Sequence, residues 1–387
     1  MDGLGSRVFA VSAVIGVIGL AATIGLGVSQ DDGLKHFGYS YLTNYAFFLS
    51  ISLGALFFIP IMYVTKASWN VVMRRLAEVT AAVMPLLAVL AIPVIFLAGQ
   101  IYGWTDPEVA ATHAMAHKTG YLSQNAFILR WVIYFAIWSG YALFFWRQSV
   151  AQDKSGDLKI TRRMENFSGF ALMLCGLSIA AAAFDLLMSV DPLWFSTMFG
   201  VHYWAGGFVT FFAVLTLFTM FLQNNGRMER IISPEHFHDY GKAMFAFTFF
   251  WGYIAFSQYM LYWYANIPEE TAWYLHRSQH GWGKVGVAII FVAFVLPFAG
   301  LISRYAKRKR PLLAFWAFWI IGAQWLNMYW VVMPEFSDSF TISPMDLALF
   351  VGIGGVWVAA ITRLAMGGSL VPLKDPRLDE SLRFENA

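Results

Sequence analysis

The chain has 387 residues, 59% of them hydrophobic and only 13% charged, with a formal net charge of +3 and a mean hydropathy of +0.59. Soluble domains carry about 25% charged residues, so this composition excludes a soluble enzyme and a nucleic-acid-binding module and points to an integral membrane protein. The single cysteine, Cys175, excludes an iron–sulfur ligand set or a disulfide framework within the chain.

Apolar stretches of spanning length predict about ten transmembrane helices, over 8–28, 43–64, 80–102, 126–146, 167–188, 200–222, 243–264, 285–304, 312–332 and 346–365. The first reads as a retained anchor, because only Arg7 precedes it and no small-residue cleavage pattern follows. Pro85 and Pro93 fall inside the third and kink it, since each proline removes a donor from the helix ladder. The connections 65–79, 147–164, 223–242 and 304–310, with both termini, hold every one of the 26 Lys and Arg except Lys35, Lys118, Arg277, Lys284 and the intramembrane Arg130. The positive-inside rule places that side in the cytoplasm. The run Lys307-Arg308-Lys309-Arg310 there suits anionic lipid headgroups. The tail from Met366 is polar and reads as a cytoplasmic extension without its own core.

A weak four-helix repeat matches segments 2–5 to segments 6–9. Tyr102-Gly-Trp-Thr-Asp-Pro-Glu108 leaves the third helix as Tyr264-Ala-Asn-Ile-Pro-Glu-Glu270 leaves the seventh, and Asp191-Pro192 and Pro334-Glu335 close the two units. Both units begin on the outer side, so they are parallel. The expected fold is all-α: an anchor helix with its outer loop (1–42), two four-helix bundles (43–199 and 200–344), and a last helix with the tail (345–387).

Asp185 lies within Phe167–Met188, where an ionisable side chain costs several kcal/mol unless paired or wetted. At about 1.5 Å per residue, Asp185 on the outward-running fifth helix and Arg130 on the inward-running fourth both lie about one turn below the outer surface. Antiparallel packing lets them meet, and pairing lowers the desolvation that each would carry alone. Asp191, His202, Tyr203, Ser257 and Gln258 share that depth, with Lys284 and Asn327 near them. The set reads as a proton path, or a region next to a quinol headgroup, that opens outward; interhelical glue is the structural alternative. No catalytic residue and no metal site is expected. The remaining histidines are placed in loops: His36, the i, i+4 pairs His113/His117 and His276/His280, and the solvated link His236-Phe-His238. No facing pair could hold a haem.

Three features carry a family resemblance: FDLLMSVDPLWFSTMFGVHYWAGG (184–207), FSQYMLYWYANIPEETAWYLHR (256–277) and the plan of two linked four-helix units. They resemble the polysulfide-reductase-type (NrfD-like) membrane subunits, most closely the ActF-type subunits of bacterial alternative complex III. The resemblance implies a subunit of a quinol:electron-acceptor oxidoreductase in the bacterial inner membrane, not a catalyst alone. Its implied partners are a sister NrfD-like subunit that holds the quinol, an iron–sulfur subunit and haem c subunits, besides membrane lipids. This chain itself is expected to bind no redox cofactor, although a quinone nearby is possible on the family's pattern. A secondary transporter and a structural scaffold are the rival readings.

Overall fold

The computed structural model describes residues 2–28, 32 and 34–385, and among them the regular structure is helical, without strands. Nine described segments are long and apolar enough to cross a membrane. The long helices are α1 Asp2–Val28, α2 Lys35–Val64, α3 Val71–Phe96, α4 Gln124–Ser155, α5 Leu158–Leu186, α6 Phe199–Asn224, α7 Pro234–Ala265, α8 Trp282–Leu301, α9 Arg310–Val332 and α10 Pro344–Ala365.

Several helices begin well before their apolar stretches. α2 starts at Lys35 rather than 43, and α3 at Val71 rather than 80. Hydropathy misses the first turns of α3 because they carry Arg74, Arg75 and Glu78, all buried. These charges are inside because they pair. Arg75 donates to Glu78 at 2.9 Å and to Asp153 at 2.8 Å, while Arg74 holds Asp375 and lies over the Tyr63 ring. The tail is therefore not a free extension. Asp375 enters this charge cluster, Arg377 pairs with Glu165, and the buried Ser381 donates to the Trp69 carbonyl at 3.0 Å. His236 and His238 are buried too, not solvated. His236 closes a capping box with Ser233 at the start of α7, and its Nε2 contacts the Ser381 carbonyl.

α3 is broken where its prolines predict. Its pieces Met84–Leu90 and Ile92–Phe96 carry Pro85 and Pro93 in their first turns. The Tyr45 and Tyr41 hydroxyls of α2 donate to the Leu87 and Leu90 carbonyls beside the breaks, at 3.0 and 2.8 Å. α8 contains a π turn, Ile290–Val295, and the Trp319 indole donates to the Val292 carbonyl within it at 2.7 Å.

α2 and α6 form the buried centre. α2 packs on α3, α5, α6, α9 and α10, and α6 also packs on α5, α7 and α9. A Cβ added at Gly207 would lie 2.6 Å from the Ser50 carbonyl oxygen, so this glycine sets how closely the two central helices approach. α1 lies antiparallel on α10, and its opposite face, with Val11, Val14, Val17 and Ile18, is exposed. Small residues make that contact, as expected where packing rather than hydrophobic expulsion drives association. A Cβ at Gly19 would lie 2.7 Å from Gly352 Cα, and one at Gly355 2.6 Å from Gly16 N. The antiparallel register puts both termini at one end with the basic connections, called here the basic end.

Gly352→Leu forces these backbones apart. It is expected to lower stability by about 1–3 kcal/mol and to open α1 to limited proteolysis, while Gly3→Leu, which meets nothing within 4 Å, leaves both unchanged.

Candidate functional site

At the end opposite the termini, Asp185 occupies the last turn of α5 and is fully buried. Arg130, in the second turn of α4, grips it at two points: Nε donates to Oδ2 at 2.8 Å and Nη2 to Oδ1 at 2.9 Å. Tyr134, one turn along the same face of α4, donates its hydroxyl to Oδ2 at 2.8 Å. The guanidinium also donates through Nη1 to the Tyr121 carbonyl at 2.8 Å and lies 3.7 Å over the Tyr121 ring. Burial, then the nearby Asp185 charge, pushes the Tyr121 hydroxyl up to about 12. Helix ends leave carbonyls without partners; here Ser189 Oγ donates to the Asp185 carbonyl at 2.6 Å and Tyr102 to the Leu186 carbonyl at 3.0 Å. Both carboxylate oxygens are occupied by donors in fixed geometry, so the group clamps α4 to α5.

His202 lies elsewhere, one turn into α6. Its ring is 5.4 Å from that of Trp251, and its Nε2 is 3.5 Å from Asn327 Nδ2. Asn327 also reaches Gln324 Oε1 at 3.4 Å. The enclosed Nδ1 of His202 and the Trp251 Nε1 have no hydrogen-bond partner among the described residues. His202, Gln324, Asn327, Ser50 and Thr210 line a cavity of about 10 Å³ at the meeting of α2, α6 and α9, the room that one water needs.

The other residues singled out from the sequence are committed separately. The Tyr203 hydroxyl donates to the Ala46 carbonyl at 2.8 Å and ties α6 to α2. Gln258 accepts from Ser196 at 3.2 Å and donates to the Tyr274 hydroxyl at 3.0 Å. Ser257 is half-buried and makes no described side-chain hydrogen bond. Asp191 accepts the Leu193 and Trp194 amides at 3.1 and 3.3 Å. Burial, then the Glu335 charge, raises its carboxyl above the usual aspartate range. No described hydrogen bond links Arg130–Asp185 to His202, Tyr203 or Gln258. Leu187, which lines the cavity two residues after Asp185, is the covalent connection.

Sequence reasoning passed over Tyr134, although its i+4 spacing from Arg130 places it on the same helix face. It also treated Arg277 as a loop cation. Arg277 is buried, donates to Glu335 at 3.0 Å and to the Val331 carbonyl at 2.7 Å, and lies 3.6 Å over Trp273, which stacks on Trp194. Burial, opposed by Glu335, brings the guanidinium down to about 10. The loops after α5, α7 and α9 close around it.

His113 begins a single 3-10 turn, Ala116 and His117 lie outside it, and His280 has a left-handed backbone. Neither i, i+4 pair therefore sits on one α-helical face. His36 heads α2, stacks on Phe336 and approaches Asp346 at 3.6 Å. Among the described residues, no three His, Cys, Asp or Glu side chains converge as a metal site would require. In comparisons with known proteins, no family model and no curated sequence matches this chain.

Arg130→Met leaves Asp185 as an uncompensated buried charge. It is expected to destabilise by about 3 kcal/mol, whereas replacing both partners with apolar residues of similar volume recovers most of the loss; thermal melting in detergent measures both. At Asp191 the folded chain holds its proton more tightly than the unfolded chain. The associated stability is therefore complete below the ordinary value near pH 4 and declines as pH rises through the raised one. Asp191→Asn keeps the acceptor and is expected to flatten the fall in melting temperature across that window; parallel curves would refute the assignment.

Proposed function

We propose that the chain is a membrane subunit of a quinol-oxidising electron-transfer assembly, contributing an outward-facing proton path while partner subunits carry the haem c and iron–sulfur centres. In this reading it lies in a bacterial inner membrane beside a sister NrfD-like subunit, with the basic end in the cytoplasm and α7, 32 residues long, as a tenth span. Two parallel units, α2–α5 and α6–α9, fit the packing order, because α2 lies against α3 and α5 as α6 lies against α7 and α9.

The observation that carries the reading is the His202 cavity. It encloses an imidazole nitrogen without a partner beside two amide side chains, about one turn below the outer end. A neutral imidazole donates a hydrogen bond at one ring nitrogen and accepts one at the other, so His202 can hand a proton along a water chain without itself staying charged, and the amides can order the water that links it outward. Arg130 and Asp185 would fix the neighbouring α4–α5 wall. A cavity of about 10 Å³ does not fit a quinone ring, since small-molecule sites begin at about 300 Å³. In this reading quinol chemistry is left to a partner, as the family resemblance implies.

His202→Gln in the assembled complex is expected to slow proton release by roughly a hundredfold with haem and iron–sulfur content intact; unchanged release at intact content removes the proposed path. The firmly held carboxylate of Asp185, with donors on both oxygens, favours a second reading, a scaffold subunit. On that reading, Asp185→Asn lowers the amount of co-purifying partner subunits and leaves proton release per turnover unaltered.

A further inference from the structure

The basic run that stands out in the sequence is engaged by other groups of the chain, although Lys309 and Arg310 stay exposed. Lys307 Nζ donates to the Leu301 and Ile302 carbonyls at 2.9 and 3.1 Å, and Arg308 pairs with Glu235. Lys309 lies over the Tyr305 ring, and Arg310 donates to Asn224 at 2.8 Å. Among the described residues, a second basic group makes no side-chain ion pair or hydrogen bond, and only its Arg163 lies over a ring, that of Phe144. Lys159, Arg162, Arg163 and Asn166 recur at i, i+3, i+4 and i+7, hence on one face of α5, and all four are exposed. With Phe167 they line a shallow, largely open recess bordered by α5 alone.

Neighbouring acids are occupied elsewhere. Glu165 pairs with Arg377, and Asp157 caps the helix by accepting the Lys159 amide at 2.8 Å. Arg163 leans on the Phe144 ring, 5.7 Å from its centroid, and makes no described ion pair. Following the same face towards the opposite end, the side chains become apolar at once: Phe170, Met173 and Leu177 are each more than half exposed. All three lie within the candidate span Leu158–Val190.

We infer that this face of α5 is a binding site for one anionic diacyl phospholipid. Its phosphate lies in the recess on Lys159, Arg162 and Arg163, Asn166 donates to the headgroup or glycerol oxygens, and an acyl chain runs along Phe170, Met173 and Leu177. The apolar continuation selects a lipid over a free anion, because a soluble phosphate has no use for that stripe. The cations select an anionic headgroup, since each Lys or Arg near a membrane surface contributes about 1 kcal/mol toward anionic lipid. The inference is independent of the electron-transfer reading.

The test uses the full chain purified in neutral detergent with equimolar phosphatidylglycerol and phosphatidylcholine, and native mass spectrometry to count retained lipid. Wild type is expected to retain phosphatidylglycerol over phosphatidylcholine by about fivefold or more. Lys159→Gln/Arg162→Gln/Arg163→Gln should lose that preference while eluting as wild type does in size exclusion. The charge-conserving Lys159→Arg/Arg162→Lys/Arg163→Lys variant should keep it, as should Lys309→Gln/Arg310→Gln. A preference that survives the triple glutamine variant, or no preference in wild type, overturns the site. Displacement of the lipid by millimolar inorganic phosphate overturns it in favour of a free anion; retention against phosphate supports the lipid.

Discussion

Pairing of buried charge is the constraint on which this molecule depends. An isolated ion in a low-dielectric interior carries a penalty of several kcal/mol that only close, well-oriented partners offset, and this chain places such ions at both ends of the bundle. At one end Asp185 receives Arg130 and Tyr134. At the other, Arg74, Arg75, Glu78, Asp153 and Asp375 form one cluster drawn from α3, α4 and the tail. The two clusters do different mechanical work. The first joins neighbours in sequence, α4 and α5; the second brings in residues about 300 positions away, so the segment around Asp375 closes the basic end over α3 and α4. Between them the central contact of α2 and α6 is set by backbone proximity at Gly207 and Ser50 rather than by charge.

The sequence made the helices legible because apolar periods of spanning length leave few alternatives, and it made the Arg130–Asp185 contact legible because helix direction fixes depth. It concealed whatever depended on lateral position. Tyr134 could have been found from spacing alone; the commitment of Tyr203 to Ala46 and of Gln258 to Ser196 and Tyr274 could not, because depth says nothing about which helix a side chain faces. Hydropathy failed in a consistent direction at Lys35–Leu42, Val71–Val79 and Pro234–Lys242, where paired or capping polar residues continue a helix beyond its apolar part. The tail misled for the same reason: a polar segment without a core of its own can still dock when a buried arginine awaits its aspartate.

Counting charges also differs from counting available charges. Lys307–Arg310 is the densest basic run, yet carbonyls, a carboxylate, an aromatic ring and an amide take up its members. The cations of Lys159–Arg163, less conspicuous in the sequence, are exposed and make no described ion pair, with Arg163 alone over a ring. Local competition, not local density, decides which basic group can reach outward, and that competition is settled by helix packing that a linear sequence does not display.

The same distinction separates the two polar clusters at the end opposite the termini. Around Asp185 both carboxylate oxygens have donors, three in all, and a group so held loses hydrogen bonds by changing state. Around His202 the balance is reversed: the imidazole Nδ1 and the Trp251 indole nitrogen are enclosed without described partners, while the other ring nitrogen meets Asn327 at only 3.5 Å and Asn327 meets Gln324 at 3.4 Å. Unmet hydrogen-bonding capacity inside a packed protein is destabilising by about 1–3 kcal/mol per group, so a fold optimised only for cohesion would fill the site with apolar side chains. The tightly knit cluster is therefore the better structural anchor and the under-satisfied one the better place to seek exchange of protons, and the Leu187 turn between them lets the first hold the wall of the second.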